Sequence, residues 1–305
     1  MDKAARPARP GVFVVRSFLL RLVHVLEMIK FHHTIFALPF AVLAMLWAAG
    51  GWPGWRVALW MLGAMVGARS AAMTFNRLAD LRFDRDNPRT ARWALSTGAV
   101  SVPFAWGFLG ASVGLFELCA WALNPLCFAL SPLALALLLG YSFAKRFTWM
   151  CHLVLGFADG ISAPGAWIAV TGRIAGSGPA WWLCAALTAW IGGFDILYAL
   201  QDLEFDRKEG LQSVPARFGV APSLWASGML HLVTMACLAA GALAAGAGPL
   251  LWTGLALAAA ALAYEHAIIR PSDLSRLGAA FFSVNGYLSV GVLGFGVADL
   301  WARLQ

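Results

Sequence analysis

Long apolar runs, each broken by a short polar segment, recur along the whole chain. About 20 apolar residues in a helix cross the hydrocarbon core of a bilayer. Stretches of that length lie near residues 31–50, 55–75, 99–119, 121–140, 152–171, 179–198, 224–244, 247–267 and 279–300. The pattern predicts an all-α integral membrane fold with nine transmembrane helices, and residues 31–305 read as a single membrane domain. Residues 1–30 differ. A basic tail leads into the amphipathic segment 15–26, where Arg16, Arg21 and His24 interrupt apolar positions. No small-residue cleavage site follows an apolar core there, so an interfacial helix is expected rather than a signal peptide.

Composition supports the pattern: 61% of residues are hydrophobic and 12% charged, against about 25% charged in an ordinary soluble domain. The net charge of +7 does not point to nucleic acid, because the cations fall in alternate loops. The tail through Arg21, the segment Arg77–Arg92, and Lys145, Arg146, Arg207, Lys208, Arg217, Arg270 and Arg276 share one side of a nine-span topology. Arg56, Arg173 and Arg303 fall on the other. By the positive-inside rule the N-terminus and the basic loops are cytoplasmic, in a multi-pass protein of the cell inner (plasma) membrane. The five cysteines are isolated from one another and form neither a zinc pattern nor a disulfide framework.

One internal repeat stands out. Leu78-Ala79-Asp80-Leu81-Arg82-Phe83-Asp84-Arg85 matches Leu200-Gln201-Asp202-Leu203-Glu204-Phe205-Asp206-Arg207 at six of eight positions, 122 residues apart. Each copy begins at the basic end of an even-numbered span. This predicts two pseudo-repeated four-helix units, spans 1–4 and 5–8, with span 9 added.

Carboxylates beside a bilayer are costly and mark sites. In each copy the two Asp are four apart, which on a helix sets them on one face, so a cation is expected between them. Asn76 extends the first copy, and Asp195 with Tyr198 extends the second. The set Asn76, Asp80, Asp84, Asp202 and Asp206 offers oxygen and amide groups with no His or Cys, which suits Mg²⁺ rather than zinc. Magnesium is usually held by one or two carboxylates together with substrate phosphates, so two facing acidic motifs suit a metal-bridged diphosphate. Arg85, Arg89, Arg92, Lys145 and Arg146 are candidates for the remaining phosphate oxygens, although the positive-inside rule alone accounts for basic residues here.

The pattern Asn76-x-x-x-Asp80-x-x-x-Asp84, the run Tyr198-x-x-x-Asp202-x-x-x-Asp206 followed by Gly210-Leu211-Gln212-Ser213, and Tyr141-Ser142-Phe143-Ala144-Lys145-Arg146-Phe147-Thr148 between them resemble the UbiA superfamily of membrane prenyltransferases. Residues 31–40, 87–91 and 194–202 look like its 4-hydroxybenzoate polyprenyltransferase branch, particularly relatives attributed to menaquinone synthesis through futalosine. The resemblance implies a helical bundle around a central cavity, with the acidic motifs at its cytoplasmic mouth and a lateral entry for the lipid chain. It implies that Asp80, Asp84, Asp202 and Asp206, with Asn76, bind Mg²⁺ and diphosphate, supported by Tyr198. It also implies transfer from a polyprenyl diphosphate to a small aromatic acid, either 4-hydroxybenzoate or 1,4-dihydroxy-6-naphthoate. After Asn87-Pro88-Arg89-Thr90-Ala91-Arg92 the family usually continues with an acidic residue and a Leu-Pro pair. This chain has Trp93-Ala94-Leu95 instead, and a less rigid loop is expected.

Several residues have more than one reading. Asp195 is a polar wall of the acceptor site, a support for the metal ligands, or a structural hydrogen-bond partner. Arg69 meets the acceptor carboxylate or diphosphate, or pairs with Asp159 or Asp195. His32, His33 and His152 assist proton removal or simply pack. Duplicated halves with intramembrane charge also occur in transporters, and haem or chlorophyllide prenylation occurs in the same superfamily. The acidic groups lie at one membrane face rather than the midplane, which favours the transferase.

Overall fold

The computed structural model of the protein describes residues 24–29, 34–269 and 284–305. His32, His33, residues 279–283 of the ninth predicted span and most of the predicted tail and interfacial helix lie outside these, although residues 24–28 are helical. Among the described residues the chain is helical without strands. Among the described residues eight helical segments are long and apolar enough to cross a bilayer, and a shorter apolar helix, α1 (Thr34–Ala49), precedes them.

Some boundaries follow from local chemistry. Helix α2 (Trp55–Ala79) runs into a short α3 (Leu81–Asp86). Helix α4 (Val102–Leu123) is capped by Ser101, whose hydroxyl accepts from the Phe104 N–H. A single residue separates it from α5 (Pro125–Gly140). That residue, Asn124, caps α5 by accepting from the Cys127 N–H, and Pro125 supplies a first turn that needs no N–H partner. A 3₁₀ turn, Tyr141–Arg146, extends α5.

The fifth predicted span is two helices, α6 (Cys151–Gly160) and α7 (Ser162–Thr171), interrupted at Ile161. The interruption lets the halves take different neighbours: α6 packs on α8 (Gly178–Ala199), and α7 packs on α1. A 3₁₀ turn (Leu200–Asp202) and α9 (Leu203–Lys208) follow α8. The chain then passes through α10 (Val214–Phe218), α11 (Val220–Ala244), α12 (Pro249–Ile268) and α13 (Asn285–Leu304).

The predicted duplication is present. The two most extensive helix contacts, α2 with α4 and α8 with α11, are equivalent under the repeat. Lipid gives helices no hydrophobic reason to associate, so close backbone packing on small residues does much of that work. On α6, a Cβ at Gly156 would sit 2.3 Å from the Thr188 carbonyl oxygen and one at Gly160 2.8 Å from that of Cys184. Gly67 allows the same approach of α2 to Phe116 on α4.

Helix α8 is the most enclosed span. A buried polar chain ties its Trp190 to the last helix: the indole N–H donates to Asn285 Oδ1 at 2.7 Å, and Asn285 Nδ2 donates to Glu265 Oε1 at 3.1 Å. Beside it, His231 Nδ1 and His266 Nε2 lie 2.9 Å apart, so α8, α11, α12 and α13 are joined through buried polar contacts.

Two chambers open inside the bundle. An apolar one lies among α1, α2, α4, α5, α6 and α7, lined largely by small residues such as Ala64, Ala68, Ala120, Ala134 and Ala166. A polar one lies at the end carrying the acidic motifs. Arg69 and Asp159 line both.

Candidate active site

Both motifs interrupt their helices at the same position. Asp80 closes α2 with φ −97° and ψ 7°, and Asp202 precedes α9 with φ −104° and ψ 6°. This corrects the expectation of a continuous helix through each Asp pair. The sparsely populated bridge region turns the chain between the two carboxylates, while a single helical bond, Asp84 N–H to the Asp80 carbonyl at 2.8 Å, keeps the pair one turn apart.

Every motif carboxylate has a cationic side chain of its own. Arg146 Nη2 donates to Asp80 Oδ1 at 3.1 Å, and Arg77 Nη1 to Asp84 Oδ2 at 3.2 Å. Arg89 holds Asp202 through two bonds, Nε to Oδ1 at 2.9 Å and Nη2 to Oδ2 at 2.6 Å. Lys145 Nζ lies 3.2 and 3.0 Å from the two oxygens of Asp206. Two of the four pairs, Arg89–Asp202 and Lys145–Asp206, cross between halves. Adjacent Lys145 and Arg146 reach opposite motifs, and Arg89, in the loop after the first motif, reaches the second.

Further contacts hold the frame. Asn76 Nδ2 donates to Asp80 Oδ2 at 3.1 Å. Asn87 Nδ2 donates to Asp202 Oδ1 at 2.9 Å, while Asn87 Oδ1 accepts from the Arg89 N–H. The Thr90 hydroxyl donates to the Asp84 carbonyl at 2.8 Å. Ser213 donates to Asp206 Oδ2 at 3.1 Å and caps α10 with the same oxygen. Tyr198 Oη accepts from Arg89 Nη1 at 2.9 Å.

Burial dominates the electrostatics of the first motif. It lifts the Asp80 carboxyl above its ordinary range against the pull of Arg146, with the charge of Asp84 adding to the lift. Burial likewise lifts Asp84 against Arg77. For Arg89, burial opposes the charge, but the bonds and charge of Asp202 outweigh it and raise the guanidinium further.

Asn76, Asp80, Asp84, Lys145, Arg146, Asp195, Tyr198, Asp202, Asp206 and Arg69 all line the polar chamber. Arg85 is exposed and off the chamber, as is Arg92. Arg77 and Arg89 take the inward positions. The Arg77 guanidinium stacks 3.8 Å from the Trp93 ring, which itself lines the chamber. The loop expected to be less rigid carries successive turn bonds, Trp93 N–H to Thr90, Thr97 N–H to Trp93 and Val100 N–H to Ala94, and buries Ala94 and Leu95. Deeper in, Arg69 Nη1 lies 3.7 Å from Asp159 Oδ2, and Asp195 Oδ2 lies 2.6 Å from His152 Nδ1.

The donor set fits magnesium. Among the described residues no three His, Cys, Asp or Glu side chains gather to hold one ion by themselves. Four carboxylates and an amide nevertheless face one chamber, which suits a hard ion that completes its shell with phosphate oxygens.

Residues 37–287 match the UbiA prenyltransferase family. The chain is 35% identical to a 4-hydroxybenzoate octaprenyltransferase of Alkalilimnicola ehrlichii, over 85% of this chain and 88% of that one. It is 34% identical to the corresponding enzyme of Azotobacter vinelandii, over 76% and 80%. The solved apo structure of a UbiA homolog from Aeropyrum pernix K1 superimposes with a TM-score of 0.77 at 34% identity, covering 90% of this chain and 98% of that one. A UbiA homolog from Archaeoglobus fulgidus bound to GPP and Mg²⁺ shares the fold, with a TM-score of 0.66 at 23% identity over 91% and 99%.

Proposed function

The chain belongs to the UbiA prenyltransferase family, and from that premise we propose that Asn76, Asp80, Asp84, Asp202 and Asp206 hold Mg²⁺ with a polyprenyl diphosphate at the mouth of the polar chamber. The chain is a polyprenyltransferase of the membrane, acting on an aromatic acceptor. The proposal concerns the metal, the roles of the residues and the acceptor. Its central support is the pairing of four motif carboxylates with four cations around one chamber.

In that arrangement Asn76 and the four carboxylates would hold the metal, and Arg77, Arg89, Lys145 and Arg146 would meet phosphate oxygens. Arginine is suited to bidentate contact with phosphate, and lysine supplies a point charge. When bound, magnesium neutralises charge on the leaving diphosphate. The cations of the chain add preorganised positive charge where negative charge grows as the allylic C–O bond breaks.

Beyond the motifs, Phe36 and Phe194, with ring centroids 5.1 Å apart, line the chamber with Met73, Leu155 and Ile191. These walls exclude water, and their aromatic faces stabilise positive charge on the allyl group. The apolar chamber beyond Arg69 and Asp159 takes the prenyl tail. Arg69, at the junction of the two chambers, holds the carboxylate of the acceptor. The basic loops support a mouth on the cytoplasmic face of the inner membrane.

The acceptor is 4-hydroxybenzoate or 1,4-dihydroxy-6-naphthoate. The relatives named for the benzoate favour the first, and the resemblance of the motif segments to menaquinone-branch relatives favours the second. The protein in lipid, given Mg²⁺ and a polyprenyl diphosphate with each acid separately, should yield a prenylated acid identifiable by mass. Lack of product with both acids would overturn the assignment of the acceptor class to this site.

A further inference from the structure

Inward from the motifs, Asp195 lies one turn of α8 before Tyr198 and faces the polar chamber, with its side chain 24% exposed. Its partner is a histidine rather than Lys or Arg. His152, 1% exposed, sets Nδ1 2.6 Å from Asp195 Oδ2. On the opposite edge of the ring, the Val214 backbone N–H donates to His152 Nε2 at 3.3 Å. A ring nitrogen that accepts from an N–H carries no proton, so this contact assigns the hydrogen to Nδ1, which donates it to the carboxylate. The close approach of α6 to α8 over Gly156 and Gly160 brings the pair together.

We infer that Asp195 accepts the proton lost by the acceptor ring, and that His152 is the positioning residue that orients it. This rests on the prenyl-transfer reading above. In the step, the allylic C–O bond breaks and its electron pair leaves on the diphosphate. A π pair of the ring forms the new C–C bond. The C–H bond at that ring carbon then breaks, its electrons restore aromaticity, and its proton passes to the Asp195 carboxylate. No further co-reactant is needed.

The neighbouring groups are otherwise engaged. The four motif carboxylates carry cations, Asp159 faces Arg69, and Tyr198 accepts from Arg89. Asp195 alone among these carboxylates is held by an imidazole. With Nδ1 as the donor, the ring fixes the geometry of the carboxylate that acts as the base.

The test uses the full chain in lipid with Mg²⁺, a polyprenyl diphosphate, and whichever of the two acids it prenylates, deuterated at the ring positions beside its hydroxyl. The wild type should show no isotope effect on kcat, because proton loss follows the limiting step. Asp195→Asn should lower kcat about 10²-fold, within the usual range for a lost general base. Its KM for the diphosphate should not change, and a primary isotope effect should appear. His152→Ala should show the same isotope effect with a smaller loss, and His152→Asn, which restores an N–H donor, should recover activity.

Wild-type rates without an isotope effect in Asp195→Asn or His152→Ala would overturn the inference. So would a loss in His152→Ala that carries no isotope effect. A wild type that prenylates neither acid would overturn the functional reading itself, which separates the two failures.

Discussion

Arg89 clasps Asp202 across 113 residues of chain with two parallel bonds, at 2.9 and 2.6 Å. The clasp joins the loop after the first motif to the second motif, so the two halves of the duplication are fastened at the point where the diphosphate is proposed to bind. Truncating one partner of a buried, hydrogen-bonded charge pair costs about 2–5 kcal/mol. Arg89→Ala should therefore lower kcat/KM for the polyprenyl diphosphate by roughly 10²-fold or more on that scale. Arg89→Lys should recover only part of the loss, because an ammonium cannot reproduce the two-pronged contact. Steady-state kinetics with the diphosphate varied would check both.

Asp80 and Asp202 occupy the same junction in the two copies, so neither motif should substitute for the other. Asp80→Ala and Asp202→Ala should each reduce pyrophosphate release at saturating Mg²⁺ by more than the 10–100-fold typical of losing an outer-shell partner of a metal. Membrane insertion and yield should be unaffected. Near-normal release in either variant would contradict the metal-site assignment.

Burial raises the carboxyls of Asp80 and Asp84 above the ordinary value of 3.8. Magnesium binds the ionised form, so the protons held between 3.8 and the raised values must leave as the ion enters. The Mg²⁺ concentration for half-maximal activity should therefore climb as pH falls, starting above the pH at which an ordinary Asp titrates. A half-saturation value flat across that window would contradict it.

The α6–α8 contact leaves no room at Gly156, where the obstruction is the Thr188 backbone rather than a movable side chain. Overpacking costs about 1–3 kcal/mol where neighbours can adjust, and Gly156→Leu should reach or pass the upper end. The thermal midpoint should fall and activity with it, as His152 is pushed from Asp195. Gly110→Ala on α4, where a Cβ meets nothing within 4 Å, is the control and should leave both unchanged.

Much of this architecture is legible in the sequence because bilayers impose long apolar runs and loop charge follows topology. The predicted span 55–75 is observed as Trp55–Ala79, and 179–198 as Gly178–Ala199. The repeat was readable because Asp80, Asp84, Asp202 and Asp206 keep their spacing. The choice of cation partner was not. Lys145 and Arg146 differ by one position yet serve opposite halves, and Arg89 turns inward while Arg85 turns out, outcomes set by tertiary packing rather than local periodicity. The interruptions at Asp80 and Asp202 carry no Gly or Pro to announce them. The pairing of His152 with Asp195 had a faint signal in the glycines spaced four apart on α6, which mark a close helix contact.

The most direct test of the central claim is the stoichiometry of the reaction in lipid, with pyrophosphate and prenylated acid measured together, with and without Mg²⁺. The two products should appear one to one, only when metal, polyprenyl diphosphate and aromatic acid are all present, and chelation should stop both. Prenylated product formed at full rate in the presence of chelator, or pyrophosphate released without any prenylated acid, would contradict that claim.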